Sequence, residues 1–150
     1  MDTQGEAREL LQDAQEDLER AGRYLAPKDW VTVTHYAQLA IEKSAKAVIA
    51  CFEAYEWSHD PSGQLKKLME KGVLGQDFLE FAASAHESAP WHGQSTYGRR
   101  INGVRRRPSE LCTEPVATRL YDNAKKWLEK AGAFVQEFYG HEDGHRENQG

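Results

Sequence analysis

The sequence predicts an all-α fold, an antiparallel bundle of four main helices plus one short helix, and three observations carry that expectation. Small and apolar side chains recur at alternating steps of four and three over residues 5–25, 34–55 and 113–139, the period of one helix face. Between these stretches stand breakers, Ala26-Pro27-Lys28-Asp29 and Ser58-His59-Asp60-Pro61-Ser62-Gly63. The stretch Thr34 to Tyr55 carries two apolar sets side by side. Ala37, Ile41, Ser44, Val48, Cys51 and Tyr55 form one, and Tyr36, Ala40, Ala47 and Phe52 the other. A surface that wide needs neighbours on two sides, so this helix is the centre of the bundle, and its alanines let those neighbours approach closely.

The first helix is expected over Gly5–Leu25, with Ala7, Leu11, Ala14, Leu18, Ala21 and Leu25 inward and Asp13, Glu16, Asp17 and Glu19 on a solvated face. The central helix should run from near Trp30 to about Trp57, antiparallel to the first. A short helix over Ser62–Lys71 turns Leu65, Leu68 and Met69 inward and stops at Gly72. Gln76–Ser88 is the third main helix, through Phe78, Leu79, Ala82 and Ala85. Residues 90–112, with three glycines and two prolines, read as a long irregular connection, and long connections in compact domains tend to be functional or disordered. The last helix is expected over Thr113–Tyr139, with Thr113 as N-cap, Pro115 just inside, and Val116, Leu120, Ala124, Trp127, Ala131, Phe134 and Phe138 inward. One domain over 1–140 follows, and 141–150, which lacks apolar residues, is expected to be a disordered tail.

A 150-residue chain suffices for one core, and no apolar run reaches the roughly 18 residues of a membrane span. Cys51 on the central apolar face and Cys112 in a polar connection form no CxxC, and the acidic N-terminus lacks the order of a signal peptide. A cytoplasmic protein is expected.

The strongest chemical signal is Arg99, Arg100, Arg105, Arg106 and Arg107, within nine residues and close to Trp91, His92 and Tyr97. Guanidinium groups grip phosphate oxygens in a two-pronged geometry, and nearby rings stack on bases. Net charge is −5, so without these five arginines the remainder carries about −10 and the molecule is polarised. The plain alternative is that the arginines pair with the acidic faces of the first and last helices. Lys43 and Lys46, three apart, either extend a phosphate-binding surface or, more simply, are solvated. His59-Asp60 reads as helix-start chemistry. His86 with His92, and His141 with His145, are too loosely placed for a metal signature, so neither metal nor cofactor is expected. The four tryptophans are expected mostly in the core, with Trp91 the exception.

Three segments, Ala14-Gln15-Glu16-Asp17-Leu18-Glu19-Arg20-Ala21, Ala40-Ile41-Glu42-Lys43-Ser44-Ala45-Lys46-Ala47 and the His59-Asp60 pair before Leu65, together resemble the HEPN domain (higher eukaryotes and prokaryotes nucleotide-binding) over about residues 6–139. The resemblance implies an antiparallel helical bundle, usually homodimeric, found in prokaryotic toxin–antitoxin pairs and often encoded beside a small nucleotidyltransferase. Many members are metal-independent ribonucleases, with an arginine followed four to six residues later by a histidine at the start of the last helix. This chain departs from that motif, since none of His35, His59, His86, His92, His141 and His145 has an arginine at that distance before it. The expected function is therefore a non-catalytic nucleotide- or RNA-binding module, a dimeric partner of a nucleotidyltransferase, binding through Arg99, Arg100, Arg105, Arg106, Arg107, Tyr97 and Trp91. The alternative is a metal-independent ribonuclease with a degenerate site, in which an arginine meets a histidine such as His92 in space.

Overall fold

The computed structural model describes residues 3–149, with side chains as far as Gly140. The elements run α1 (Thr3–Arg23), α2 (Trp30–Ala50), α3 (Ser62–Glu70), a 3-10 turn (Gln76–Phe78) leading into α4 (Leu79–Ser88), then α5 (Trp91–Tyr97), β1 (Arg99–Ile101), β2 (Val104–Arg106), α6 (Pro108–Leu111) and α7 (Glu114–Gln149). The fold is all-α apart from one small hairpin. The side chains of 141–150, where the tail was expected, lie outside the described residues.

α2 is central because every wall of the bundle leans on it: α1, α3, α4, α5 and α7 all pack against it. Asp29 caps its start, accepting from the Thr32 amide at 3.2 Å and the Thr32 hydroxyl at 2.6 Å. Val33, Ala37, Ile41, Val48 and Ile49 are buried, as are Ala40, Ala45, Ala47 and Ala50. The alanine-rich surface is thus covered by the chain's own helices. Phe81 of α4 stacks on Trp127 of α7, ring centroids 4.8 Å apart, and closes the far side of the core.

Several expectations need correction. Asp17 is not on a solvated face: it is buried and clamps α1 to α2, taking Lys43 Nζ at 2.7 Å and Arg20 Nη1 at 3.0 Å. α2 ends at Ala50, not Trp57, because buried Gln64 of α3 replaces the helix ladder there. Its amide nitrogen donates to the Ala54 carbonyl at 2.9 Å and to Glu53 Oε2 at 2.8 Å, and its oxygen accepts from the Glu56 amide at 3.0 Å. Residues 90–112 are not irregular but form α5, the hairpin and α6. Cys112 is buried, not in a polar connection, and burial pushes its thiol pKa up. Trp57 is 96% exposed rather than core. No described helix is long and apolar enough to cross a membrane.

Candidate functional site

The arginines stand on a two-stranded ribbon. Asn102 (φ 51°) and Gly103 (φ 78°) form its two-residue turn, both left-handed, the conformation that joins strands with native twist. Arg99 lies opposite Arg106, Arg100 opposite Arg105 and Ile101 opposite Val104. Successive residues of a strand face opposite sides, so Arg99 and Arg106 share one face and Arg100 and Arg105 the other. Like charges directly opposite each other on a ladder destabilise it. Only Glu110 offsets them among the described residues, meeting Arg106 Nη1 at 3.3 Å and Arg107 Nε at 3.1 Å. The Arg107 backbone amide, then these two guanidinium groups, hold the Glu110 carboxyl below its ordinary pKa.

Two other guanidinium groups meet backbone oxygens, Arg100 that of Gly103 at 3.2 Å and Arg105 that of Tyr97 at 3.1 Å. The Arg99 guanidinium makes no hydrogen bond or ion pair among the described residues, its pairing with Arg106 being through backbone. None of the five reaches an acidic residue of α1 or α7 there, so pairing with those faces does not account for them. Tyr97 is exposed at the foot of the ribbon. Trp91, expected beside the arginines, is half-buried against the core instead.

A second cluster, which no sequence spacing announces, lies at the N-terminal end of α5. Glu42 and Lys46 of α2 are buried and joined at 3.1 Å, so Lys46 is neither solvated nor part of an exposed phosphate surface. Glu42 Oε1 accepts from Gln38 Nε2 at 3.1 Å and from His59 Nδ1 at 3.1 Å. Burial works to raise the Glu42 pKa, but the bonds from Gln38, Lys46 and His59 outweigh it and hold the carboxyl below its ordinary value.

An ionised carboxylate only accepts, so Gln38 must turn its NH2 toward Glu42 and its oxygen toward His92 Nδ1, 3.3 Å away. Both His59 and His92 thereby donate through Nδ1. Ser95 donates to the His92 carbonyl at 3.3 Å and accepts from His35 Nδ1 at 2.9 Å in the same way. The His59 and His92 rings stack at 3.6 Å with 18° between their planes, and His35 lies 5.7 Å from His92. His59 and Asp60, though adjacent, diverge: Asp60 pairs with His86 at 2.7 Å.

Ligand atoms of Glu42, His59 and His92 lie within 4.8 Å of one another, close enough to ask whether they hold a cation. The chemistry fits poorly. Lys46 already neutralises Glu42, and nearly parallel rings send their lone pairs side by side, whereas a tetrahedral ion needs them to converge. Nor does the pair suit phosphodiester cleavage, in which base and acid flank the reacting phosphate; rings stacked face to face stand on one side of it. Among the described residues of the single chain, His92 contacts Gln38, His59 and His35 rather than an arginine.

Acidification probes this network. Burial lowers the pKa of both His35 and His92 from 6.5, and the neighbouring His59 lowers His92 further. Between the lowered value and 6.5 the unfolded chain binds more protons than the folded one, so stability falls as pH drops through this window. Glu42 and Asp60 are held below 4.5 and 3.8; they contribute stability above those values and lose it as pH falls through their folded pKa values. Calorimetry from pH 7 to pH 3 should show the Tm falling in two stages. The double substitution His35→Gln, His92→Gln should remove the upper stage and keep the lower.

Compared with known proteins, the chain matches the family model for the HEPN domain over residues 7–138. No curated protein matches it significantly. The Asp17–Lys43 clamp and the Glu42–Lys46–His59 network fall inside that span.

Proposed function

The chain belongs to the HEPN domain family, and from that premise we propose that it is a non-catalytic nucleotide- or RNA-binding module whose arginine ribbon grips phosphate. The observation that carries this reading is the ribbon itself, four exposed guanidinium groups on a hairpin, with Arg107 beside it and one carboxylate to balance them. A fold gains nothing from such crowding, whereas a polyanion relieves it. The family's link to nucleotide- and RNA-related functions agrees. The missing arginine–histidine motif and the stacked imidazoles favour binding over turnover.

A cytoplasmic homodimer partnered with a small nucleotidyltransferase in a toxin–antitoxin-type system is the setting that membership supports. Within one chain most of α2 is covered, while Val31, Thr32, His35 and Tyr36 stay partly open beside α5, so a dimer contact falls to the outer helices or to that end of α2. The apolar-floored groove between α1 and α7, about 650 Å³ and bordered by Leu11, Leu18 and Leu128, is one such surface.

The test is binding of a fluorescent RNA oligonucleotide across a salt series. Wild-type protein should bind at low salt, lose affinity steeply as salt rises, and leave the RNA intact. Replacing Arg105, Arg106 and Arg107 by alanine should reduce the slope of log K against log salt by about 2, at roughly 0.7 per phosphate contact on a single strand. Circular dichroism should be unchanged, since the ribbon is outside the core. Metal-independent cleavage abolished by His92→Ala would reverse the reading in favour of the ribonuclease.

A further inference from the structure

We propose that Trp57 is a stacking platform for an unpaired nucleobase, so that the ligand of the arginine ribbon is a single-stranded nucleic acid rather than a duplex; this rests on the phosphate-binding reading above. Trp57 is the most exposed large apolar side chain among the described residues, at 96%, followed by Tyr97 at 77%. A tryptophan in water needs a reason, because burying its ring is strongly favourable.

The surrounding loop is not loose. On one side the Glu56 amide donates to Gln64 Oε1 at 3.0 Å. On the other, the Ser58 amide donates to the Glu56 carbonyl at 2.9 Å, and the Asp60 amide to Ser58 Oγ at 3.1 Å. Beneath it Tyr55 is held by Lys46, whose ammonium lies 5.2 Å from the ring centroid, and the Tyr55 and Trp57 rings are 6.4 Å apart. Trp57 is therefore held out on a pinned backbone.

The neighbours decide what the ring meets. Glu56, Ser58 and His59 beside it are polar, and among the described residues Tyr55 is the one ring that contacts Trp57, so its setting is more polar than the core of a protein interface. The two acids of this loop, Glu56 and Asp60, repel phosphate and leave a flat π-face for a base. Phosphate is held elsewhere. His59 stacks on His92 at the start of α5, and α5 leads through Tyr97 and Gly98 into the ribbon. Seven residues at 1.5 Å each make α5 about 10 Å long. Trp57 lies two residues before His59, so a 12-nucleotide strand, about 40 Å at 3.4 Å per step, is long enough to touch both platform and ribbon. A base inside a duplex is already stacked on both faces and cannot use the ring.

The test uses the full chain and a fluorescein-labelled 12-nucleotide RNA of mixed sequence, offered alone and annealed to its complement. Trp57→Ala should weaken binding of the single strand by about 5- to 100-fold and leave its salt slope unchanged, because stacking releases no counterions. Trp57→Phe should retain most of the affinity, and the duplex should bind wild type and Trp57→Ala alike. With the ring already in solvent, neither change should alter the circular dichroism spectrum. Wild-type affinity for the single strand in Trp57→Ala would overturn the platform while leaving the ribbon reading intact. So would equal losses for strand and duplex, or a change of oligomeric mass without a change in binding. If wild type binds neither RNA at low salt, the ribbon reading fails and the platform with it.

Discussion

Replacing Glu42 by alanine is expected to lower the unfolding free energy by about 3–5 kcal/mol, a figure typical of breaking one side of a buried ion pair. For a chain of this size that corresponds to a Tm lower by roughly 10 °C. Glu42 is 7% exposed and receives bonds from Gln38, Lys46 and His59. Its loss leaves the Lys46 ammonium buried without a carboxylate and removes the anchor of His59. Most of the cost is the stranded charge rather than the worth of the pair. Glu42→Leu combined with Lys46→Met should therefore recover most of the stability, since replacing both partners by apolar groups is often nearly neutral. Urea unfolding followed by circular dichroism measures both. A loss below about 1 kcal/mol for Glu42→Ala would mean that water reaches the pair and that the cluster behaves as a surface one.

Gly98→Ala is expected to dislodge the arginine ribbon while leaving the helical bundle folded. Gly98 has φ 74° and ψ −158°, a region open essentially to glycine alone, where another residue stores about 1–3 kcal/mol of strain. Space is denied as well. A Cβ there would overlap the Arg106 carbonyl oxygen, and backbone cannot swing aside as the end of a side chain can. The first strand must then separate from the second, and the cross-strand placement of Arg99 against Arg106 and Arg100 against Arg105 goes with it. RNA affinity should fall at least as far as in the triple arginine variant, with helix content by circular dichroism preserved. Backbone amide shifts should be confined to residues 97–111. Unchanged RNA binding would separate the phosphate contacts from the ribbon's geometry.

Much of the architecture was legible along the chain, because helix periodicity is a local property. The four-three spacing located α1, α2 and α7. Asp29 lies just before Trp30, as an N-cap should, and Gly72 stands just past the short helix. The hairpin had a signal too, Asn102-Gly103 between Arg-Arg-Ile and Val-Arg-Arg, the residue pair that two-residue turns favour. The density of glycine, proline and arginine around it hid that signal, since the short strands lack the apolar alternation that marks half-buried ones.

By itself the sequence determined the helical class, the central place of α2, the departure from the arginine–histidine motif and the concentration of positive charge at 99–107. All of these follow from residue types at short spacing. Tertiary structure alone decided where α2 ends, because the groups that replace its ladder come from Gln64. It also decided that Lys43 and Lys46, chemically alike and three apart, serve different carboxylates, one on α1 and one on α2. The imidazole cluster joins residues up to 60 positions apart. No local pattern encodes such a meeting, because it depends on which helix faces are brought together. Trp57 shows the converse, a residue whose type predicts burial but whose place on a pinned loop leaves it in water.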